Sequence, residues 1–428
     1  MISQSAPGKL YIAGEYAVVE PGHRAVLVAV DRFITVRITP AEHAGRISSA
    51  LYETRSLAWY RRPEDGMVEV EEQFDDYVVS AIRLVEQLVR EAGGPLRFFD
   101  LDVSSELDDG SGRKLGLGSS SAVTVATVRA VARFYDLPLD DLAVYKLALL
   151  ASEAVQPIGS GGDIAASAFT GWVSYTSPDR WWLHQLRAHT SVGELVRMDW
   201  PYLSIRRLPS PDLNLRVGWT GAPASTPRLV AGVQAHTRGS HDAAYAAFLR
   251  GSESCLSALI QALEGDDAQE IGRQIEENRR LLSDLSRTSG IVIETPQLRR
   301  LVEIARQCGA MAKSSGAGGG DCGIALCLPE TDVAAMCASW ESAGIQPLDL
   351  SVYSHGEATA SERAVRKDEH LDLAVRLHGQ EQPNAFDDVS FMHHALPGTA
   401  TGVADTGTTV CGVRWQVPFY INAMTGGT

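Results

Sequence analysis

The chain has 428 residues, 45% of them hydrophobic and 21% charged, a globular composition long enough for two domains and an appendage. Its formal net charge of −15 argues against nucleic acid or an anionic membrane as the main partner. A small anion stays admissible, because a few local cations and backbone N–H groups bind phosphate inside an acidic protein.

Lys9 and Glu15 interrupt the N-terminal segment where a signal peptide needs an unbroken apolar run, and no stretch reaches the roughly 18 apolar residues of a membrane span. Residues 8–19 and 25–38 read as strands around a turn at Pro21-Gly22. Val79, Ile82, Val85, Leu88 and Val89 fall on one face of a helix over 76–92. A strand near 97–103 and a polar segment, 104–113, lead into Lys114-Leu-Gly-Leu-Gly-Ser-Ser-Ser-Ala122, which opens a helix over 120–135, followed by another over 139–155. The segment 158–175 is a glycine-rich loop, a short helix and a strand at Trp172–Tyr175. Beyond it come a strand at Leu215–Thr220, a turn and a helix from Pro227. Helices at 241–264, 267–287 and 296–308, a loop at 313–322, a strand at 323–328, a helix at 331–343 and a strand near 348–353 follow. The character of the sequence changes after about 356, and no internal repeat is present. The six cysteines form no C-x-x-C pair and read as reduced thiols of a cytoplasmic protein.

Five lysines stand against 33 arginines. Where either cation would serve, this sequence uses arginine, so the remaining lysines are enriched at sites that need a compact ammonium. Lys9, Lys114 and Lys313 each adjoin a glycine-rich stretch, which points to phosphate chemistry. In Gly116-Leu-Gly-Ser-Ser-Ser-Ala122 the glycines let successive N–H groups face one point, and the serines open a helix whose dipole favours an anion. It is neither a P-loop, lacking Gly-Lys-Ser/Thr, nor a dinucleotide fingerprint, since Ser121 takes the place of the third glycine. A capped strand-to-helix turn explains the segment equally well. Lys313-Ser-Ser-Gly-Ala-Gly-Gly-Gly-Asp-Cys322 is richer in glycine than a hairpin needs, which favours a phosphate loop. Asp163, in Gly159-Ser-Gly-Gly-Asp163, reads alone as an N-cap, and Ser225 and Thr226 before Pro227 as caps or anion ligands.

Together, Pro7-Gly-Lys-Leu-Tyr-Ile-Ala-Gly-Glu-Tyr-Ala-Val-Val-Glu20, the 116–122 stretch and the 313–322 loop resemble the three motifs of the GHMP small-molecule kinases, over about residues 1–355. Val217-Gly-Trp-Thr-Gly, the 159–163 loop and the lysine directly before the second motif resemble the branch that phosphorylates phosphomevalonate. The resemblance implies an α+β fold: a ribosomal-protein-S5-like N-terminal domain, 1–180, and a ferredoxin-like C-terminal domain, 181–355. It implies ATP and Mg²⁺ as cofactors and 5-phosphomevalonate as the small-molecule substrate of a mevalonate-pathway enzyme. By the same match Leu115, Gly116, Leu117, Gly118, Ser119, Ser120, Ser121 and Ala122 bind ATP, with Ser120 and Glu153 as metal ligands. Lys9, Lys114, Ser160, Asp163, Ser225, Ser315, Gly316 and Ala317 line the substrate site, and Lys9, Lys114 and Asp163 carry the catalysis. The alternatives are another acceptor, above all mevalonate, or a non-catalytic metabolite-binding homologue.

The acceptor chemistry has a physical corollary. A hydroxyl acceptor benefits from a carboxylate base, whereas a phosphate monoester, with a second pKa of about 6, is already mostly dianionic near neutrality. Asp163 is therefore expected to act through Mg²⁺ or Lys9 and substrate orientation, while Lys9 and Lys114 bring two anions together.

The tail, 356–428, is of another kind. RKDEHLDLA at 366–374, FDDV at 386–389, HHALP at 393–397 and INAMTGGT at 421–428 resemble the start of the type 2 isopentenyl diphosphate isomerases. In that family Arg366 and Lys367 would contact a diphosphate and MTGGT would begin a flavin site. A barrel of that kind needs roughly 250 residues. No functional flavin is expected here, and the tail reads as a join between neighbouring genes, poorly packed and dispensable.

Overall fold

The computed structural model describes residues 1–49, 56–70, 76–109, 113–157, 159–222, 229–233, 243–354, 408–410 and 413–415. The chain divides into two units, Met1–His355 and Gly356–Thr428. In the second, only a short antiparallel pairing of Thr408–Val410 with Val413–Trp415 is described. The expectations for Arg366, Lys367, His393, His394 and the MTGGT segment lie outside the described residues, as does that for Ser225.

The first unit is built on two sheets. The larger has eight strands: β1 (Ile2–Ala13), β2 (Arg24–Pro40), β3 (Gly45–Ser49), β4 (Ser56–Arg61), β5 (Val68–Val70), β6 (Phe99–Ser105), β7 (Trp172–Thr176) and β8 (Ser204–Leu208). Seven run in the order β5-β4-β3-β6-β2-β7-β8, and β1 pairs with the long strand β2 off that path. All pairings are antiparallel except β3 with β6. The smaller sheet is antiparallel throughout, with β9 (Asn214–Trp219), β10 (Met311–Ser314), β11 (Cys322–Cys327) and β12 (Gln346–Leu348) in the order β10-β11-β9-β12.

Helix α1 (Tyr77–Glu91) starts on Asp76, whose carboxylate accepts from the Val79 N–H, and its apolar face, Val78, Val79, Ile82, Val85 and Val89, is buried. Helix α2 (Ser119–Phe134) is buried on almost every side, with Val123, Val125, Val128, Ala130 and Val131 all packed, as expected of a helix apolar all round. It lies against β1, so the loop before its first turn meets the first strand. Helices α3 (Asp141–Val155), α4 (Gly162–Phe169), α5 (Arg180–Arg187) and α6 (Val192–Arg197) complete this part. Further helices run over Ala243–Glu264, Ala268–Ser289, Pro296–Gln307 and Val333–Ser342, the last two packing on the small sheet's side of a second core cluster.

The elements follow the predicted order, with several differences. The strand expected over 8–19 runs over Ile2–Ala13 with a 3-10 helix at Ala17–Val19 after it, and β10 at Met311–Ser314 was not predicted. Strands β3 to β5 fill a region that the sequence left unassigned, because short strands of mixed polarity carry little period-2 signal. Helices α5 and α6 and strand β8 were likewise unassigned. The strand expected near 348–353 ends at Leu348, and Val352 makes only an isolated bridge to Val30. Five cysteines, 255, 308, 322, 327 and 337, are free thiols, and no helix of the described residues is long and apolar enough to cross a membrane.

Candidate active site

A cavity of about 460 Å³ opens where the three glycine-bearing motifs meet. Its walls include Lys9, Lys114, Gly116, Gly118, Ser119, Ser120, Ser121, Ser160, Asp163, Gly316 and Ala317. These expected site residues, spread over more than 300 positions of sequence, are brought to one place.

The α2 end of the cavity has the form of an anion site. Gly118 is the N-cap, in the left-handed region at φ 80°, and no side chain caps the helix. Among the described residues no side chain caps its first-turn N–H groups, and Ser119, Ser120 and Ser121 face the cavity with them. A methyl group on Gly118 would fall 2.8 Å from Lys9 Cε, so glycine here makes room for the lysine. Leu115, Leu117 and Ala122 are buried beneath, and the Leu117 carbonyl accepts from the Lys9 N–H at 2.8 Å. These three hold the loop by packing and backbone contact.

Lys9, only 7% exposed, runs from β1 beneath this loop. Its ammonium donates to the Gly116 carbonyl at 3.4 Å and stands 3.7 Å from Asp163 Oδ2. The other carboxylate oxygen, Oδ1, accepts from the Tyr11 hydroxyl at 3.2 Å, and that hydroxyl also meets Ser160 Oγ at 2.9 Å. Burial first, then the Asp163 charge, raise the Tyr11 phenol well above its ordinary range, so Tyr11 stays protonated and donates. The backbone of the Ser160 loop is carried from behind. Tyr175 donates to the Ser160 carbonyl at 2.5 Å, and its hydroxyl meets that of Tyr145 at 2.8 Å. Asp163 lies in the first turn of α4, whose N-cap is Gly161, so the reading of Asp163 as an N-cap does not hold.

Glu153 is placed differently from the other expected ligands. Its carboxylate is paired with Arg180 Nη1, while Arg180 Nη2 donates to the Gly159 carbonyl. Arg180 lines the cavity and Glu153 does not. Among the described residues no group of three or more His, Cys, Asp or Glu side chains could hold a metal.

The third motif divides its glycines between two tasks. A side chain on Gly318 or Gly320 would come within 2.2 Å of the Ile293 carbonyl oxygen or 2.3 Å of the Ala222 carbonyl oxygen, so these two permit close backbone packing. Gly316, at φ 81° with open space around it, faces the cavity. Ser315 is turned away from it, its hydroxyl donating to the Tyr11 carbonyl and accepting from the Tyr11 N–H, each at 2.9 Å. Tyr16 donates to the Ala317 carbonyl at 2.6 Å. Cys322 lies beneath both loops, 2% exposed, its thiol donating to the Leu115 carbonyl at 3.1 Å and raised by burial.

Lys313 corrects the grouping of the three lysines. It is fully buried, bonded to Glu15 Oε1 and to the Ser314 carbonyl, and it does not line the cavity. Lys146 is also an internal donor, to the Val196 and Met198 carbonyls at the end of α6. Residues that sequence reasoning missed in the wall include Tyr11, Tyr77, Gln156 and Arg180. The Tyr77 hydroxyl donates to Gln156 Oε1 at 3.2 Å, and its phenol is raised by burial against a lowering contact with the Ser120 hydroxyl.

Comparison with known proteins agrees with this geometry. The model for the GHMP kinases N-terminal domain matches residues 76–171, and that for the GHMP kinases C-terminal domain matches 256–346. A phosphomevalonate kinase of Streptomyces sp. (strain CL190) is 43% identical over 366 residues, covering 82% of this chain and 96% of that protein. A Streptococcus pneumoniae phosphomevalonate kinase, solved in complex with phosphomevalonate and AMPPNP, superposes with a TM-score of 0.71 at 30% identity, covering 82% of this chain and 100% of the other. The C-terminal region matches an isopentenyl-diphosphate delta-isomerase of the same Streptomyces strain, 52% identical over 66 residues, which span 15% of this chain and 18% of that enzyme.

Proposed function

We propose, from the premise that this chain belongs to the GHMP kinase family as a homologue of the phosphomevalonate kinases, that it transfers the γ-phosphoryl group of ATP to 5-phosphomevalonate, forming 5-diphosphomevalonate. The observation that carries this reading is the convergence of Lys9, Lys114, the uncapped first turn of α2 and the Gly316–Ala317 edge on one cavity.

Phosphoryl transfer between two phosphates demands positioning and charge stabilisation more than bond-making by the protein. The first turn of α2 receives the nucleotide phosphates through its free N–H groups and its dipole, with the loop glycines allowing close approach. Lys9 and Lys114 offset the repulsion between donor and acceptor. Asp163 is held by Tyr11 on one oxygen and faces Lys9 with the other, an arrangement that fixes the lysine and the Ser160 loop. The acceptor brings its own anionic oxygen, so no proton need pass to Asp163.

The donor set fits Mg²⁺, which takes one or two protein oxygens and otherwise keeps waters and substrate phosphates. Ser120 and Asp163 offer such oxygens to the cavity, whereas the Glu153 carboxylate is engaged by Arg180. When bound, the ion would supply positive charge to offset that developing on the transferred phosphoryl group. A cytoplasmic setting accords with the free thiols.

The test is a coupled ADP-release assay with ATP and Mg²⁺, comparing 5-phosphomevalonate with mevalonate. Turnover of phosphomevalonate alone is expected. Turnover of mevalonate instead would assign a hydroxyl acceptor and return Asp163 to the role of base.

A further inference from the structure

The Glu15–Lys313 pair joins the first motif to the third through the protein interior, its two side chains 2% and 0% exposed. Both oxygens of Glu15 are taken. Oε1 accepts from the Lys313 ammonium and from the Gly316 N–H at 3.3 Å. Oε2 accepts at 3.1 Å from the Asn278 amide, oriented so that its own oxygen takes the Gly14 N–H at 3.3 Å. Asn278 itself is 1% exposed, in helix Ala268–Ser289. Glu15 therefore lines the cavity with both oxygens engaged by the protein, and Lys313 does not line it.

These bonds belong to a series. Ser315 is bonded to both backbone groups of Tyr11, Gly316 to Glu15, and Ala317 to Tyr16. Three consecutive residues of the acceptor-side loop are each fixed by the first motif, and the buried ammonium holds the carboxylate that fixes the middle one. A charge buried this deeply is costly unless paired, so its presence at a loop that a hairpin could have closed without it calls for a role beyond closure.

We infer that Glu15 and Lys313 are positioning residues for the phosphoryl-transfer site: the pair sets the Ser315–Ala317 edge in its working geometry before substrate arrives. The inference rests on the acceptor-site reading above. Removing both charges with Glu15→Met and Lys313→Met together avoids an orphaned ion, since isosteric apolar replacement of a buried pair is often neutral for stability. Expected for this variant are a midpoint of thermal unfolding near that of the unmodified protein and a KM for ATP within about threefold. Its kcat/KM for phosphomevalonate should fall between about ten- and a hundredfold, as for a misplaced contact. Amide exchange in 311–322, measured without ligand, should quicken. Glu15→Gln with Lys313→Met restores a neutral acceptor for the Gly316 N–H and should recover most of the loss. A purely structural pair would give a folded Met/Met protein with unchanged kcat/KM and unchanged exchange, and that result overturns the inference. If the Met/Met protein does not fold, Lys313→Arg, which keeps the charge and alters its reach, carries the same expectation and the same refutation. Should the unmodified protein fail to turn over phosphomevalonate, the functional reading falls, and the exchange measurement still decides whether the pair sets the loop.

Discussion

Replacing Tyr11 with phenylalanine removes one oxygen atom and leaves a ring that fits the same space. In the structure that oxygen donates to Asp163 Oδ1 at 3.2 Å and meets Ser160 Oγ at 2.9 Å. A hydrogen bond to a charged group contributes about 1.5–3 kcal/mol, and Ser160 retains its contact with the Gly162 N–H. Asp163 is about one-third exposed, so water replaces part of what is lost. A loss of about 1–2 kcal/mol in stability is the reasonable figure. The effect on turnover should be larger, because Asp163 then keeps only its contact with Lys9 and its link to Ser160 Oγ is gone. Steady-state kinetics should show kcat/KM for phosphomevalonate reduced about ten- to a hundredfold, each factor of ten being about 1.4 kcal/mol, with KM for ATP little changed. Calorimetry on the same protein measures the stability term separately. If stability falls as stated while kcat/KM for the acceptor is unaltered, Tyr11 is a packing residue and the tether between Asp163 and the Ser160 loop has no part in transfer.

Gly118→Ala should cost about 1–2 kcal/mol from the left-handed backbone alone and displace Lys9, with turnover falling more than stability; both are read from one purified variant. Glu153→Gln should leave the half-saturating Mg²⁺ concentration within about twofold, because its carboxylate serves Arg180; a tenfold rise in a Mg²⁺ titration would restore Glu153 as a ligand. Burial raises Tyr175 to about 12, and Tyr11 and Tyr145 are pushed up by burial too, so the folded state keeps protons that the unfolded chain releases near pH 10. Stability from these groups is therefore fully present below about pH 10 and lost as pH climbs towards 12, visible as a falling denaturation midpoint across that window. A chain ending at residue 355 should retain full activity in the ADP-release assay, since every described residue that lines the cavity belongs to the first unit; loss of turnover on truncation would give the tail a role.

The motifs were legible because each is a local device. A glycine pair before a serine-rich helix start reads as an anion site or a capped turn alike, and the structure, which leaves that helix end uncapped by side chains, favours the first. Contacts that depend on distant partners were not legible. Tyr11 reads as an ordinary strand residue until Asp163, 152 positions away, comes beside it. Arg180 gives no local sign of reaching Gly159, and Lys313, whose glycine neighbours pointed to phosphate, answers to Glu15, 298 positions away. Local sequence announces what a backbone can do, whereas the direction of a long side chain is settled by tertiary packing.

Cys322 turns this architecture into its own gauge. Its thiol is buried beneath the 114–122 and 313–322 loops, 2% exposed and bonded to the Leu115 carbonyl. A small alkylating reagent can modify it only when the loops lift, so at saturating reagent the labelling rate counts opening events in time. The same clock, read with nucleotide, acceptor or both present, would show which ligand holds the two loops down.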